Sequence, residues 1–361
     1  MSHLEFTLAL HRAIAGNPTE QVCWSPYSVA SALGLLALGA RGGSRRELVE
    51  LFGDLDDLTT LIAGAATLDK AGTDEDEPVI AVTNTLWADA SVRVESSFAD
   101  ELSRWSDGSV RNAPFRTEPV KARDEINADV AETTRGLIPE LLPEGSINSD
   151  TVSALVNALY LKCAWRNKFS EFLTEPKPFH TAAGVVEVPT MALNESVPYA
   201  ATSGWQVVGL PAIGGVEAVI LLPDGDLADA EPELTAESLG ALLNAPEHRQ
   251  VALSLPKLKV STQAELSPAL RSVGVREVFG DQADLSGISP DPLAVEAILH
   301  ESVLKIDEQG FEGAAATAVM MRMLSMPAEP LPVVVDKPFL LLVRHAGTGA
   351  VYFMARVTDP S

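Results

Sequence analysis

The chain has 361 residues, 46% hydrophobic and 21% charged, enough apolar material for a sizeable core and too much for wholesale disorder. Its 26 Lys and Arg stand against 50 Asp and Glu, a net charge of −24. Such a polyanion repels phosphate backbones and anionic lipid, which excludes nucleic acid and membrane surfaces as partners. At about 150 residues per domain, length alone suggests two domains.

Leu4, Leu8 and Ile14 fall near helical spacing and are interrupted by Glu5, His11 and Arg12, so the start reads as an amphipathic helix and not as a signal peptide. That places the protein in the cytoplasm by default, and outside the cell if a pre-sequence has been removed. Ser25-Pro26 opens a second helix that ends at Gly39, and Ser44-Arg-Arg-Glu47 fits a capping box for a third that stops at Gly53. Strand character follows at 79–87, then helices at 96–104 and 119–135. Residues 152–161 are apolar on both faces, as suits a strand in the middle of a sheet. Residues 207–210 and 216–222 read as paired strands closed by Pro223-Asp224-Gly225, 251–255 as a further strand, and 264–273 as a helix. A hairpin at 339–344 and 350–357 ends the chain. Helices first and strands later imply an α+β fold.

Catalytic signatures are missing: no Gly-x-Ser-x-Gly, no His-Glu-x-x-His, no P-loop and no Gly-x-Gly-x-x-Gly. The six histidines are scattered singly, so no metal or cofactor is expected. Cys23 and Cys163 lie in apolar segments and read as free buried thiols. The acidic runs Asp74-Glu-Asp-Glu77 and Asp224-Gly-Asp226 read as solvated loops, because neither has the spacing of a calcium loop.

One segment is unusual. From Lys305 the chain runs through Gly310-Phe-Glu-Gly-Ala-Ala-Ala-Thr-Ala-Val-Met-Met321 to Pro327. As a helix it is rich in good helix formers. As a strand it shows one uncharged face, Phe311, Gly313, Ala315, Thr317, Val319 and Met321, and one face carrying Glu312 and Arg322. A stretch compatible with two states is what a conformational switch requires.

This segment resembles the hinge of the serpins, the serine protease inhibitor family, through Glu308, Gly310, Gly313, Ala314, Ala315, Ala316 and Thr317. Further blocks resemble the family in the same order: Cys23-Trp-Ser-Pro-Tyr-Ser-Val-Ala30, Val156-Asn-Ala-Leu-Tyr-Leu-Lys-Cys-Ala-Trp165, Leu255-Pro-Lys257, Asp284-Leu-Ser-Gly287, His300, Asp336-Lys-Pro-Phe339 and Phe353-Met-Ala-Arg356. The resemblance is to an inhibitory, prokaryotic-type member and spans nearly the whole chain. It implies the serpin fold, three β-sheets with eight or nine helices, in a single domain of residues 1–361 with a reactive-centre loop at about 308–330.

The resemblance further implies a protein that is not an enzyme but a suicide substrate. A target serine protease cleaves the loop, and the hinge, 310–322, then enters the main sheet as a strand and traps the acyl-enzyme. Ser25, Ser28, Asn157 and His300 match the family's shutter beneath the opening sheet. Trp165, Lys257 and Glu308 match its breach, where insertion begins, with Lys257 expected to pair with Glu308.

Counting Glu308 as the first hinge residue makes Leu324 the 17th, so the reactive bond is expected at Leu324-Ser325. Met323-Leu324 is the second choice and Arg322-Met323 the third. Leu or Met there implies a chymotrypsin-like or elastase-like target, and Arg322 a trypsin-like one. No heparin partner and a monomer are expected. Phe311 departs from the family, which places a small Thr or Ser there. That leaves an alternative, a non-inhibitory serpin whose loop is merely cut and whose role is binding or chaperone-like.

Overall fold

Nine α-helices and two hydrogen-bonded sheets make up the described residues, 1–70, 76–104, 108–311 and 329–361, of the computed structural model. Helix α1 (His3–Ile14) carries a capping box in which Ser2 and Glu5 satisfy each other's backbone N–H. Helix α2 (Pro26–Gly39) starts on Ser25, whose side chain accepts from Ser28 N–H, and every one of its residues but Leu38 is buried. A helix without a polar face must sit between layers. It packs against both sheets, touching β4 (Ser153–Ala164) and β15 (Val351–Val357).

The six-stranded sheet runs β10 (Leu258–Glu265), β11 (Leu299–Ile306), β12 (Gly310–Phe311), β4, β2 (Val79–Ala88), β3 (Gly108–Asn112). Strand β11 shows a period of two: His300, Ser302, Leu304 and Ile306 are buried, and the residues between them are half-exposed. Helix α6 (Pro119–Thr133) covers the outer face through a second apolar cluster that includes Ile126, Val130, Phe115 and Val156.

The other array of nine strands is continuous through β6 (Gly184–Thr202). Its first residues, 184–190, pair with β5 (Glu175–Thr181) and its middle, 190–199, with β9 (Glu247–Pro256), to which β13 (Leu331–Val334) adds in parallel. Its last residues pair with β7 (Trp205–Pro211), which leads on to β8 (Val216–Pro223), β14 (Phe339–His345), β15 and β1 (Val22–Trp24). The long first part of β6 and its last residues thus serve two layers, and with the six-stranded sheet they make the three sheets expected.

Arg356 lies in β15 at 4% exposure, among strand residues that are all buried. Its guanidinium grips the Glu231 carboxylate at 2.6 and 2.7 Å, and His11 Nε2 meets the same carboxylate at 2.8 Å. Burial pushes the Glu231 carboxyl up, but hydrogen bonds from His11 and Arg356 outweigh it and hold the group below its ordinary value.

Three local expectations need correction. Helix α3 (Gly42–Phe52) begins before Ser44, whose hydroxyl accepts from Asp284 N–H at 3.0 Å instead of capping. The β7–β8 hairpin turns at 212–215, and Pro223 lies at its open end opposite Trp205. Residues 258–265 form β10, so the helix there, α9 (Ser267–Ser272), is shorter than expected. For Ser44 the competing partner is distant in sequence, which local propensity does not report, whereas the hairpin turn carries a local signal, Gly214 and Gly215 at φ 94° and 74°.

Candidate functional site

The main site lies where β4 ends and the chain turns back from β11. Residues 307–309 reverse direction, Asp307 N–H donating to Gly310 C=O at 3.1 Å, so that β12 slots antiparallel between its neighbours. Ile306 opposes Phe311 on one side, and Ala164 and Cys163 oppose Gly310 and Phe311 on the other. Gly310 has φ 155°, and a Cβ there would lie 2.0 Å from Cys163 C=O, so only glycine lets the two backbones approach.

Phe311 is 2% exposed and its ring meets Trp165 edge to face, with centroids 4.7 Å apart. The bulk that sets this residue apart from the family pattern therefore has a built pocket. Trp165 is fixed in turn: its indole N–H donates to Asp307 C=O at 2.8 Å and its backbone N–H to Gln309 C=O at 2.9 Å.

Glu308 is 5% exposed. Lys257 Nζ reaches its Oε2 at 2.7 Å, and the Thr174 hydroxyl donates to Oε1 at 2.7 Å. Burial raises this carboxyl, but the bonds from Lys257 and Thr174 more than compensate, so it stays below its ordinary value and ionised at neutral pH. The expected grouping of Trp165, Lys257 and Glu308 is thus present as geometry. Thr174, and the Gln309 side-chain amide bonded to Glu171 at 3.1 Å, were not anticipated. A lone Thr or Gln in a polar stretch carries no local signal of such a bond.

Below β12 the sheet changes character. Among the described residues, no ladder joins the rest of β4 to the rest of β11. Two edges with unpaired N–H and C=O groups face each other, a template for one more strand. A cavity of about 270 Å³ lies at the lower end of this gap, lined by Leu33, Leu86, Phe98, Leu155, Leu293 and Leu299 among others.

A polar cluster sits at mid-height. His300 Nε2 accepts from Ser25 N–H at 3.1 Å and lies 3.1 Å from Ser302 Oγ, while Ser25 Oγ accepts from Ser28 N–H. Burial lowers the His300 pKa to about 4, so the ring is neutral and carries its proton on Nδ1. Asn157 belongs to a neighbouring set: its amide donates to Asn84 Oδ1 at 2.6 Å, which also accepts from the Ser31 hydroxyl at 3.3 Å. Asn157 Oδ1 is buried and has no partner. Ser25, Ser28 and His300 therefore come together as expected, Asn157 stands beside them, and Ser31, Asn84 and Ser302 were missed. Two periodicities could have found the serines: Ser31 is one helical step beyond Ser28, and Ser302 shares the strand face of His300.

The rest of the expected loop, Gly313, Ala314, Ala315, Ala316 and Thr317 with Arg322, Met323, Leu324 and Ser325, lies outside the described residues, as do Asp74 and Glu75. Cys23 and Cys163 are buried free thiols, and burial pushes Cys163 up to about 12.

A family model described as "Serpin (serine protease inhibitor)" matches residues 1–360. Among known proteins, Iripin-2 of Ixodes ricinus is 31% identical over 98% of this chain and 91% of its own length. An alpha-1-antitrypsin-like protein, GS55-MS of Ictidomys tridecemlineatus, is 32% identical over 99% and 87%. Serpin-Z1C of Triticum aestivum is 31% identical over 98% and 94%. A solved structure of thyroxine-binding globulin in complex with thyroxine superposes with a TM-score of 0.87 at 24% identity, covering 99% of this chain and 98% of that one.

Proposed function

Because the chain belongs to the serpin family, we propose that it inhibits a chymotrypsin-like or elastase-like serine protease as a suicide substrate. All of residues 1–361 act as one domain in this reading. A main apolar cluster that draws on both sheets and runs from Phe6 to Val357 supports it.

The protease serine attacks the Leu324 carbonyl. The Leu324–Ser325 bond breaks, Ser325 leaves as a free amine with a proton from the protease's own acid, and Leu324 stays esterified to the protease. The inhibitor supplies a scissile bond and stored folding free energy, and no catalytic group. Released at one end, the hinge continues β12 into the gap between β4 and β11. Strand addition of this kind, for which serpins are a standing example, satisfies both rows of open backbone groups and buries one face.

The observation that carries this reading is the register of β12. Gly310 opposes Ala164 and Phe311 opposes Cys163; continued downward, the same register sets residue 321 against Ser153, the first residue of β4. The hinge thus matches the whole strand. Phe311, Gly313, Ala315 and Thr317 fall on the buried face, and Thr317 lands opposite both Asn157 and His300. Its hydroxyl supplies the donor that Asn157 Oδ1 lacks.

The competing reading, a non-inhibitory serpin with a binding or chaperone-like role, rests on the bulk of Phe311, for which the pocket against Trp165 supplies room. Incubation with chymotrypsin separates the two. The expected result is a complex that survives denaturing electrophoresis, with the released peptide beginning at Ser325 by mass spectrometry. A nicked chain beside fully active protease, with no rise in melting temperature, would overturn the inhibitory reading.

A further inference from the structure

Phe172 is wholly exposed, at 101% of its reference area, and its neighbour Leu173 is 58% exposed. They sit on the single 3-10 turn Glu171–Leu173 between β4 and β5. Burying a side chain such as Phe is worth about 1.5–3 kcal/mol, so two adjacent bulky apolar residues in water represent stabilisation this chain leaves unused.

The turn is tied to the base of the loop on both sides of Phe172. Phe169 N–H donates to Glu308 C=O at 3.0 Å, Gln309 Nε2 donates to Glu171 Oε1 at 3.1 Å, and Thr174 Oγ1 donates to Glu308 Oε1 at 2.7 Å. The position of Phe172 is therefore fixed relative to residues 308–309, immediately before β12 and the loop. Nearby lysines are matched by carboxylates: Lys257 with Glu308, Lys168 with Asp76, and Lys177 with Glu175 at 3.3 Å. That leaves apolar area as the feature a partner would read.

We propose that Phe172 and Leu173 form a docking contact for the protease seated on the loop, filling an apolar hollow beside its substrate cleft. The inference rests on the inhibitory reading and extends it with a surface outside the loop. The choice of partner follows from continuity, since the patch adjoins the base of the segment the protease must bind. Such a contact acts in the encounter complex. It changes how fast protease is captured, and not how the acyl-enzyme partitions afterwards, because insertion proceeds between β4 and β11.

The test uses the full chain with chymotrypsin, pancreatic elastase and subtilisin. For whichever protease the wild type traps fastest, Phe172→Ser should lower the association rate about tenfold, the equivalent of one partly buried aromatic ring. Its stoichiometry of inhibition and melting temperature should stay at wild-type values. Val120→Ser, at another exposed apolar residue in α6, should leave the rate unchanged. An unchanged rate for Phe172→Ser, an altered stoichiometry, or a wild-type dimer in sedimentation that the variant abolishes would each overturn the docking contact. If the wild type traps none of the three, the inhibitory reading fails and the contact falls with it.

Discussion

Phe311 stands edge to face on Trp165, with ring centroids 4.7 Å apart and both residues at most 2% exposed. Where the family pattern calls for a small residue, this chain uses an aromatic pair to seat the first residues of the proposed hinge. The pair is formed with β12 already in the sheet, and inserting further residues does not require breaking it.

Phe311→Ala should therefore cost stability without restoring or abolishing inhibition. Truncating a buried Phe costs about 3–5 kcal/mol, and the variant should unfold at lower urea with red-shifted Trp165 emission. The covalent complex formed with chymotrypsin should keep its yield. A marked rise in yield would show that Phe311 acts as a brake on insertion.

The Lys257–Glu308 bridge is asymmetric, its carboxylate buried and its ammonium 38% exposed. Removing the lysine leaves an ionised group held by Thr174 and its own backbone N–H, so Lys257→Ala should lose about 2 kcal/mol, below the 3–5 of a fully buried pair because water screens the lysine. Glu308→Lys, which sets a second ammonium group against that of Lys257, should lose more. The exchange Lys257→Glu with Glu308→Lys should lose less in urea unfolding than the sum of those same two substitutions made singly. Additive losses with no recovery would mean that the two side chains do not interact.

What was legible in the sequence, and what was not, follows from where each partner lies. Ser25 as a helix cap and the two-sided apolar run of β4 are local patterns, readable from their own residues, whereas β11 alternates just as locally and no strand was expected there. The assembly of Trp165, Lys257 and Glu308 joins three segments far apart, and it was legible only through family resemblance. Ser44 shows the limit: its motif is a valid capping box, yet its hydroxyl is taken by Asp284 N–H, 240 residues away. Strand β6 has a mixed surface of small, polar and apolar residues, so periodicity alone did not reveal that it links two layers. The burial of Phe311 could not be read from residue type, because it depends on the turn at 307–309.

Thr317 offers a test of register that native stability does not confound. By the β12 pairing it meets Asn157 and His300 only after insertion. Thr317→Val keeps the shape and removes the hydroxyl, at about 1 kcal/mol for one hydrogen bond. The uncut variant should unfold like wild type, and the nicked form should be less stable by that amount in guanidinium. Equal stability of the nicked forms would argue for a different register.

His300 makes the polar cluster sensitive to acid in a calculable direction. Its Nε2 accepts from Ser25 N–H, so a proton there would oppose donor to donor, and burial holds the pKa at about 4 against an ordinary 6.5. The unfolded chain takes up this proton first as pH falls. The stability from a neutral His300 is therefore complete above about pH 6.5 and declines toward pH 4. At pH 4.5 the loss is about 2.5 kcal/mol. His3, whose Nε2 accepts from Val351 N–H at 3.0 Å, is also lowered to about 4 by burial and adds a second slope in the same window. His345, lowered by burial as well, adds to the same slope. His300→Gln keeps a carbonyl acceptor in the cluster and removes one of these three titrations, so urea unfolding from pH 7 to 4.5 should show the variant losing clearly less than the wild type. Parallel profiles for variant and wild type would mean that His300 titrates in the folded chain at its ordinary 6.5, contrary to the bond it accepts from Ser25.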